Sequence, residues 1–300
     1  MSTNHSQMIG IIAPSNSPRG NMTPILHSLS LLKQQGFQIV LGKSFRGGQN
    51  SHSRTAQARA EDVNSMFRDK RIKAILCALG GDSANQVLKY LDFASIQANP
   101  KPLIGYSDIT HLLLAIHTKT KIPTYHGPNL NLLSQLSQKS LTQVINIINN
   151  FPHPDNLNLK IQTIKPGLAT GKLIGGNLMV VNALYKTEYL PNLAGNILFW
   201  EEIDEGNSAV IYQLHQLYNS GILKEINGLV IGHIKNAPNF KNIKNTILDL
   251  TKDYSYPIVK TNRFGHGVTN FITFTEGSLA HIDTQKHLLV HQTKFNNNQP

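Results

Sequence analysis

The chain has 300 residues, 40% of them hydrophobic and 15% charged, which is enough apolar material for two moderate domains with buried cores. Its net charge of +11 is scattered, and the densest basic cluster (Arg68, Lys70, Arg71, Lys73) is broken by Asp69. No aromatic-and-basic stripe for stacking bases accompanies it, so nucleic acid is not an expected partner. Cys77 is the sole cysteine, which excludes an intramolecular disulfide and any cysteine-based metal cluster, and fits a reducing compartment.

The polar start Met1 to Met8 lacks a basic segment followed by an apolar run, so no signal peptide is expected. No apolar stretch reaches the roughly 18 residues that suggest a membrane span. The expectation is a soluble, cytoplasmic protein.

Ile9 to Ala13 reads as a short buried strand ending at Pro14-Ser15-Asn16. A helix follows: Thr23 can cap it, Pro24 suits its first turn, and Ile25, Leu26, Leu29 and Leu32 share a face before Gly36 ends it. Phe37 to Leu41 is a second strand, and Thr55 to Asp69 is helical, with Val63, Met66 and Phe67 facing a core. The unbroken apolar run Ala74 to Leu79 suits a strand covered on both faces, and Gly80-Gly81 closes it. A helix over Ser83 to Asp92, a strand at Leu103-Ile104, a helix over Ile109 to Lys119 and an extended Pro123 to His126 continue the alternation. The pattern predicts an α/β fold: a layered N-terminal domain with a mostly parallel sheet.

From 149 to 168 the pattern dissolves into Asn, Pro and polar residues, a candidate linker between domains at 1–148 and 169–300. Beyond it, Gly175-Gly176 reads as a turn, Ile197 to Trp200 and Gly228 to Gly232 as buried strands, and Ala209 to Tyr218 as a helix. Phe271 to Phe274 and His287 to His291 read as β, and Phe295 to Pro300 as a frayed end. The second domain is therefore a smaller α/β unit rich in β.

Five places could carry chemistry. Ser107, in Gly105-Tyr-Ser-Asp108, stands where an apolar strand turns into a helix. Such a serine either caps the helix or projects a nucleophilic hydroxyl toward nearby backbone donors; Ile109 departs from the G-x-S-x-G elbow. Gly80-Gly81 and the Pro14-Ser15-Asn16 loop lie at equivalent strand ends, where α/β sheets commonly bind ligands, although both also read as plain turns. Glu201 and Glu202 directly follow an apolar strand, and with Asp204 and Glu205 they form an acidic cluster in an acid-poor chain. His266 lies between glycines after another strand-like run, with His126 as its main competitor; no metal-ligand spacing appears among the histidines.

Taken in order, these pieces resemble the serine LD-carboxypeptidase family, which includes muramoyl-tetrapeptide carboxypeptidases and microcin C immunity peptidases. The matching segments are Ile11-Ile-Ala-Pro-Ser15, Gly80-Gly81, Gly105-Tyr-Ser-Asp108, His126-Gly-Pro128, Gly171-Lys-Leu-Ile-Gly-Gly-Asn-Leu178, Ile197-Leu-Phe-Trp-Glu201, Gly228-Leu-Val-Ile-Gly232 and Phe264-Gly-His266. The resemblance implies a Ser–Glu–His triad: Ser107 as nucleophile, His266 as general base and then acid, and Glu201 orienting the histidine. It implies an oxyanion hole from the amides of Asp108 and of Gly80 or Gly81, with Asn177, Glu205 and Ser15 toward the substrate. It places the serine in the N-terminal domain and its partners in the C-terminal one, with the active site between them. It implies no cofactor and no metal, a small peptide or peptidyl-nucleotide substrate, and a homodimer.

The features that separate the branches conflict. Leu79, Asp82 and Ser83 stand where many cell-wall members have an arginine and an aromatic-glycine pair, which favours the microcin branch. The short linker and Glu205 favour the cell-wall branch, and Tyr212 replaces an arginine common in the family. The implied reaction is release of terminal D-alanine from a murein tetrapeptide, with cleavage of a peptidyl- or aminoacyl-nucleotide amide as the alternative. A non-catalytic small-molecule binding protein is the alternative of another class.

Overall fold

The computed structural model describes residues 7–46, 54–153, 156–203, 206–237 and 239–292. The chain divides into two compact units, 1–152 with 269–273 and 153–268 with 274–300. The second segment of the first unit, Thr269–Thr273, comes from far along the chain, so a boundary drawn once in the sequence does not capture the division.

The first unit alternates β1 (Met8–Ile12), α1 (Thr23–Gln34), β2 (Gln38–Leu41), α2 (Ala56–Arg68), β3 (Ile72–Cys77), α3 (Phe93–Ala98), β4 (Leu103–Gly105), α4 (Thr110–Thr120), β5 (Tyr125–His126), α5 (Leu130–Leu133) and α6 (Gln138–Asn149). Its strands lie in the order β5-β4-β3-β1-β2. Every pairing among them is parallel, as the uninterrupted apolar runs predict. Ile9, Ile11, Ala74, Leu76 and Ile104 are fully buried together with Leu32 of α1 and Val144 of α6. Each of the branched aliphatic side chains among them is worth about 1.5–3 kcal/mol of burial.

The first helix begins differently from expectation. Thr23 is already inside α1; the N-cap position is Met22, whose side chain makes no capping bond, and Asn21 Oδ1 accepts the Thr23 N–H at 3.0 Å. The helix expected over Ser83 to Asp92 is a 3-10 segment, Ala84–Tyr90, followed by the short α3. The loops after β1, β3 and β4 emerge from adjacent strands at their carboxyl ends. The sheet order reverses between β1 and β3, the place where such sheets open a crevice.

The second unit contains β6 (Asn156–Lys160), β7 (Gln162–Lys165), β8 (Leu168–Asn177), α7 (Leu178–Ala183), β9 (Ile197–Ile203), α8 (Asn207–Asn219), α9 (Ile222–Glu225), β10 (Gly228–Lys235), α10 (Phe240–Leu250), β11 (Ile258–Lys260), the two-residue β12 (Phe274–Thr275), β13 (Ser278–Asp283) and β14 (Leu288–Gln292). Its mixed sheet runs β6-β14-β13-β8-β9-β10-β11-β7, parallel from β8 to β11 and antiparallel at both sides. The unit is therefore α/β and rich in β.

Two expectations fail here. The candidate linker holds β6 and β7, which pair with β14 and β11. Polar residues alternate with Leu157, Leu159 and Ile161 there, a one-face strand pattern that the asparagines disguise. Gly175-Gly176 is not a turn but the interior of β8, opposite Phe199 and Trp200 of β9. A Cβ on Gly175 would fall onto the Phe199 carbonyl, so the glycine serves close strand approach. Among Phe271 to Phe274, only Phe274 is strand, and the expected frayed end at 295–300 lies outside the described residues.

Candidate active site

Ser107 does not cap a helix. Tyr106 before it is extended (φ −152°, ψ −174°), Ser107 itself turns to φ 65°, and a 3-10 turn, Ser107–Ile109, leads into α4. The cap positions fall on Tyr106 and Ile109. A non-glycine residue in the left-handed region costs roughly 1–3 kcal/mol and persists only where its surroundings impose it.

Those surroundings are specific. Asn129 grips the peptide before the serine, its Oδ1 accepting the Tyr106 N–H at 3.2 Å and its Nδ2 donating to the Tyr106 carbonyl at 3.4 Å. Gly105 leaves room for this: a Cβ there would lie 2.7 Å from Ile109 Cγ2 and 2.9 Å from Asn129 Oδ1. Across from the serine, a Cβ on Gly80 would lie 2.9 Å from both Cβ and Oγ of Ser107 and 3.5 Å from the Asp108 nitrogen. The backbone around Gly80 therefore borders the hydroxyl and the next amide, the neighbourhood an oxyanion hole requires. Gly81 has φ 150° and faces Ser15 and Asn16 so closely that no side chain fits.

The side chain of Asp108 turns inward and is 5% exposed. Its Oδ2 accepts from Ser15 Oγ at 2.5 Å, Ser83 N at 2.9 Å and Ala84 N at 2.7 Å, and its Oδ1 pairs with His111 Nδ1 at 3.0 Å. Burial pushes this carboxyl up, but the hydrogen bonds from His111, Ser15 and Ala84 outweigh it and hold the group below its ordinary value. Ser15, expected to face the substrate, is fully buried with its hydroxyl proton committed to Asp108. Any influence it has on a ligand runs through that carboxylate.

In the second unit, the ends of β8 and β9 bring Asn177 opposite Glu201. Glu201 is fully buried, and its Oε2 accepts from His266 Nδ1 at 2.6 Å and from the His266 backbone N–H at 3.2 Å. This fixes the ring orientation and the tautomer with its proton on Nδ1, leaving Nε2 as the basic nitrogen. The flanking Gly265 (φ 111°) and Gly267 (φ 79°) supply the backbone turn. A Cβ on Gly265 would lie 2.8 Å from the His233 carbonyl and 2.9 Å from Glu201 Cβ. His233 Nδ1 donates to the His266 carbonyl at 2.7 Å, holding the loop from the other side.

Glu202, the rival carboxylate in the sequence, points elsewhere. It accepts from Asn177 Nδ2 at 2.7 Å, Ile203 N at 2.9 Å and Met179 N at 3.0 Å. Burial first, then the neighbouring Glu201 charge, raise its pKa to about 7. Asn177 is 3% exposed and caps α7 through Val180 N, so its side chain supports the two glutamates. Glu205 lies outside the described residues. His126, the competing histidine, is fully buried, with edge contacts to the rings of Tyr106 and a tilted approach to Phe271. Cys77 is buried and its thiol is pushed well up by burial, as a packed rather than reactive thiol would be.

The structure thus assembles two constellations within their own units: Ser107 with Gly80, Gly81 and Asp108, and His266 with Glu201. Arg59, Asn129, His111 and His233 were not singled out from the sequence. A signal for Arg59 existed, because it stands on the Val63–Met66 face of its helix, where a charge must be specifically satisfied. Among the described residues no group of His, Cys, Asp or Glu could hold a metal ion, and no helix is long and apolar enough to cross a membrane.

Residues 9–127 match the model of the LD-carboxypeptidase N-terminal domain, and residues 170–281 that of the LD-carboxypeptidase C-terminal domain. A probable murein peptide carboxypeptidase of Bacillus subtilis is 31% identical over 277 residues, covering 88% of this chain and 85% of that one. The chain belongs to the LD-carboxypeptidase family. It is accordingly a serine-type peptidase. The microcin C7 self-immunity protein MccF of Escherichia coli is 28% identical over 68% of this chain and 68% of its own. The solved MccF-like protein of Bacillus anthracis superposes with a TM-score of 0.86 at 27% identity, covering 97% of both chains. The mixed α/β architecture of this LD-carboxypeptidase is therefore the fold of its relatives.

Proposed function

We propose that this LD-carboxypeptidase hydrolyses the LD amide bond that releases terminal D-alanine from murein tetrapeptides, with Ser107, His266 and Glu201 as its triad. The observation that carries the reading is Ser107 itself: a serine forced to φ 65° with Gly80 cut back to leave space at its hydroxyl. A capping serine needs neither feature. In the proposed reaction His266 Nε2 takes the hydroxyl proton as Ser107 Oγ attacks the carbonyl, while the ionised Glu201 stabilises the imidazolium through Nδ1. Backbone N–H groups of Asp108 and of Gly80 or Gly81 receive the developing oxyanion. His266 then protonates the leaving amine of D-alanine, and water, activated by the same histidine, clears the acyl-enzyme.

The alternative substrate is a peptidyl- or aminoacyl-nucleotide amide. It is supported by the likeness to MccF and to the MccF-like protein, and by Asp82-Ser83 after the double glycine. The reading carries with it a cytoplasmic enzyme that works as a homodimer.

The test incubates the protein, with chelator present, with a murein tetrapeptide and separately with an aminoacyl-nucleotide amide. Release of D-alanine, abolished in Ser107→Ala and His266→Ala, is the expected result. Cleavage of the nucleotide compound alone would reassign the substrate. Undiminished hydrolysis in both variants would overturn the triad.

A further inference from the structure

The strained serine turn is held by a buried charged brace behind it. Asp108 follows Ser107 directly, and the four donors on its carboxylate come from three other places: Ser15 in the loop after β1, Ser83 and Ala84 in the loop after β3, and His111 on α4. One carboxylate thereby ties together the ends of three adjacent strands.

Arg59 of α2 grips two of the same loops by different atoms. It is 1% exposed. Its Nη1 donates to the Pro14 carbonyl at 2.6 Å, the Ser83 carbonyl at 3.1 Å and Ser83 Oγ at 3.0 Å, with a longer contact to the Ser15 carbonyl at 3.4 Å. Its Nη2 donates to Gln86 Oε1 at 2.8 Å and its Nε to the Arg54 carbonyl at 3.3 Å. Burying a guanidinium is costly unless its donors are met, and only a planar fork reaches this set of acceptors at once. Ser15 and Ser83 each bond both to Asp108 and to Arg59, so both charges hold those residues. Gly80 and Gly81 run into Ser83 in the same loop; a Cβ on Gly81 would fall onto Ser15 Oγ and one on Gly80 would lie 2.9 Å from Ser107 Oγ, so the clamped residues adjoin the backbone on which the proposed chemistry depends.

We propose that Arg59 and Asp108 are positioning residues, a buried ion-and-hydrogen-bond brace that sets the spacing between the Ser107 hydroxyl and the Gly80–Gly81 backbone. The inference rests on the reading of Ser107 as the nucleophile. The two side chains of the brace touch no reacting atom, whatever the backbone amide of Asp108 does; their effect is on the geometry in which Ser107 attacks, where a displacement of about 1 Å can cost a hundredfold in rate.

Three variants of graded severity test it. Arg59→Lys keeps the charge and loses the fork, Asp108→Asn keeps the shape and loses an acceptor, and Ser15→Ala removes a single hydroxyl. Each is compared with wild type and Ser107→Ala for kcat and KM on the murein tetrapeptide or, should only that be cleaved, the nucleotide amide. The rate of labelling of Ser107 by a fluorophosphonate and thermal melting are measured alongside. The expected result is a fall in kcat of about 100-fold for Asp108→Asn, about 30-fold for Arg59→Lys and about 5-fold for Ser15→Ala, each on the folded fraction. KM should stay within about threefold, and labelling should slow in step with kcat. If the variants melt lower while their folded molecules retain wild-type kcat and labelling rate, the brace is structural only and the proposal fails. Should the two charged variants not fold, Ser15→Ala alone decides by the same criterion. Activity surviving in Ser107→Ala would instead sink the reading of the nucleophile, an outcome distinct from failure of the brace.

Discussion

The serine turn and the histidine loop solve the same problem, holding one side chain in an unusual place, by opposite means. Ser107 is a non-glycine residue at φ 65°, and its strain is borne by buried charge: Asp108 and Arg59 tie together the loops around it. At His266 the glycines at 265 and 267 carry the positive φ, Glu201 accepts from both the ring Nδ1 and the backbone N–H, and His233 donates to the carbonyl. A residue whose own backbone is forced needs a wide brace. A residue whose neighbours absorb the turn can be aimed by partners on its own ring and peptide.

This contrast can be broken most sharply at the histidine's partner. Glu201→Gln keeps one oxygen for the two His266 N–H groups but removes the negative charge that stabilises the imidazolium, and it sets an amide NH2 against the Asn177 Nδ2 that now donates to Oε1. The expected loss in kcat is about 10³- to 10⁴-fold with the fold intact, measured by D-alanine release alongside circular dichroism. A loss below tenfold would mean that the loop alone aims His266.

On the serine side, Gly80→Ala tests whether space matters as much as bracing. No positive φ is involved at this position, so the cost falls on the approach of the new Cβ to Ser107 Cβ and Oγ at 2.9 Å. The expected fall in kcat is about 100-fold, with melting lowered by only a few degrees. Wild-type turnover in this variant would show that the Gly80 backbone has no part in the reaction.

The smallest effect concerns Glu202 and appears in stability rather than rate. Its pKa is raised to about 7 from the ordinary 4.5, so between those values the unfolded chain releases a proton that the native state keeps. The stabilisation is complete below about pH 4.5 and is lost as pH rises through about 7, by an amount on the order of 3 kcal/mol. Glu202→Gln should flatten this part of the stability–pH profile in denaturant titrations, whatever constant cost the amide adds beside Met179 N–H. An unchanged slope would place the titration elsewhere.

Much of the first unit was legible from its sequence, because parallel strands covered on both faces leave uninterrupted apolar runs such as Ala74 to Leu79, and helices leave faces such as Val63, Met66 and Phe67. The second unit was less so. Strand β6 alternates asparagine with leucine and β7 is mostly polar, so both read as linker, while Gly175-Gly176 reads as a turn until Phe199 is seen against it. Ser107, Glu201 and His266 stand out locally as residues at strand ends with glycines or acids beside them, and their order along the chain matched a family pattern.

What the sequence by itself determined is the alternation of elements, the family and the residues on which chemistry centres, since each is written in residue type, spacing and order. The tertiary structure alone decided that Ser107 is bent to φ 65° rather than capping a helix, that Glu202 turns to Asn177 and Met179, and that Arg59 and the Ser15 hydroxyl are committed to the loops and to Asp108. The reason is physical. Apolar periodicity reports how a segment buries its own face, whereas the orientation of a buried polar group depends on donors and acceptors brought in from distant segments, such as Ser15 to Asp108 across 93 residues and Glu201 to His266 across 65.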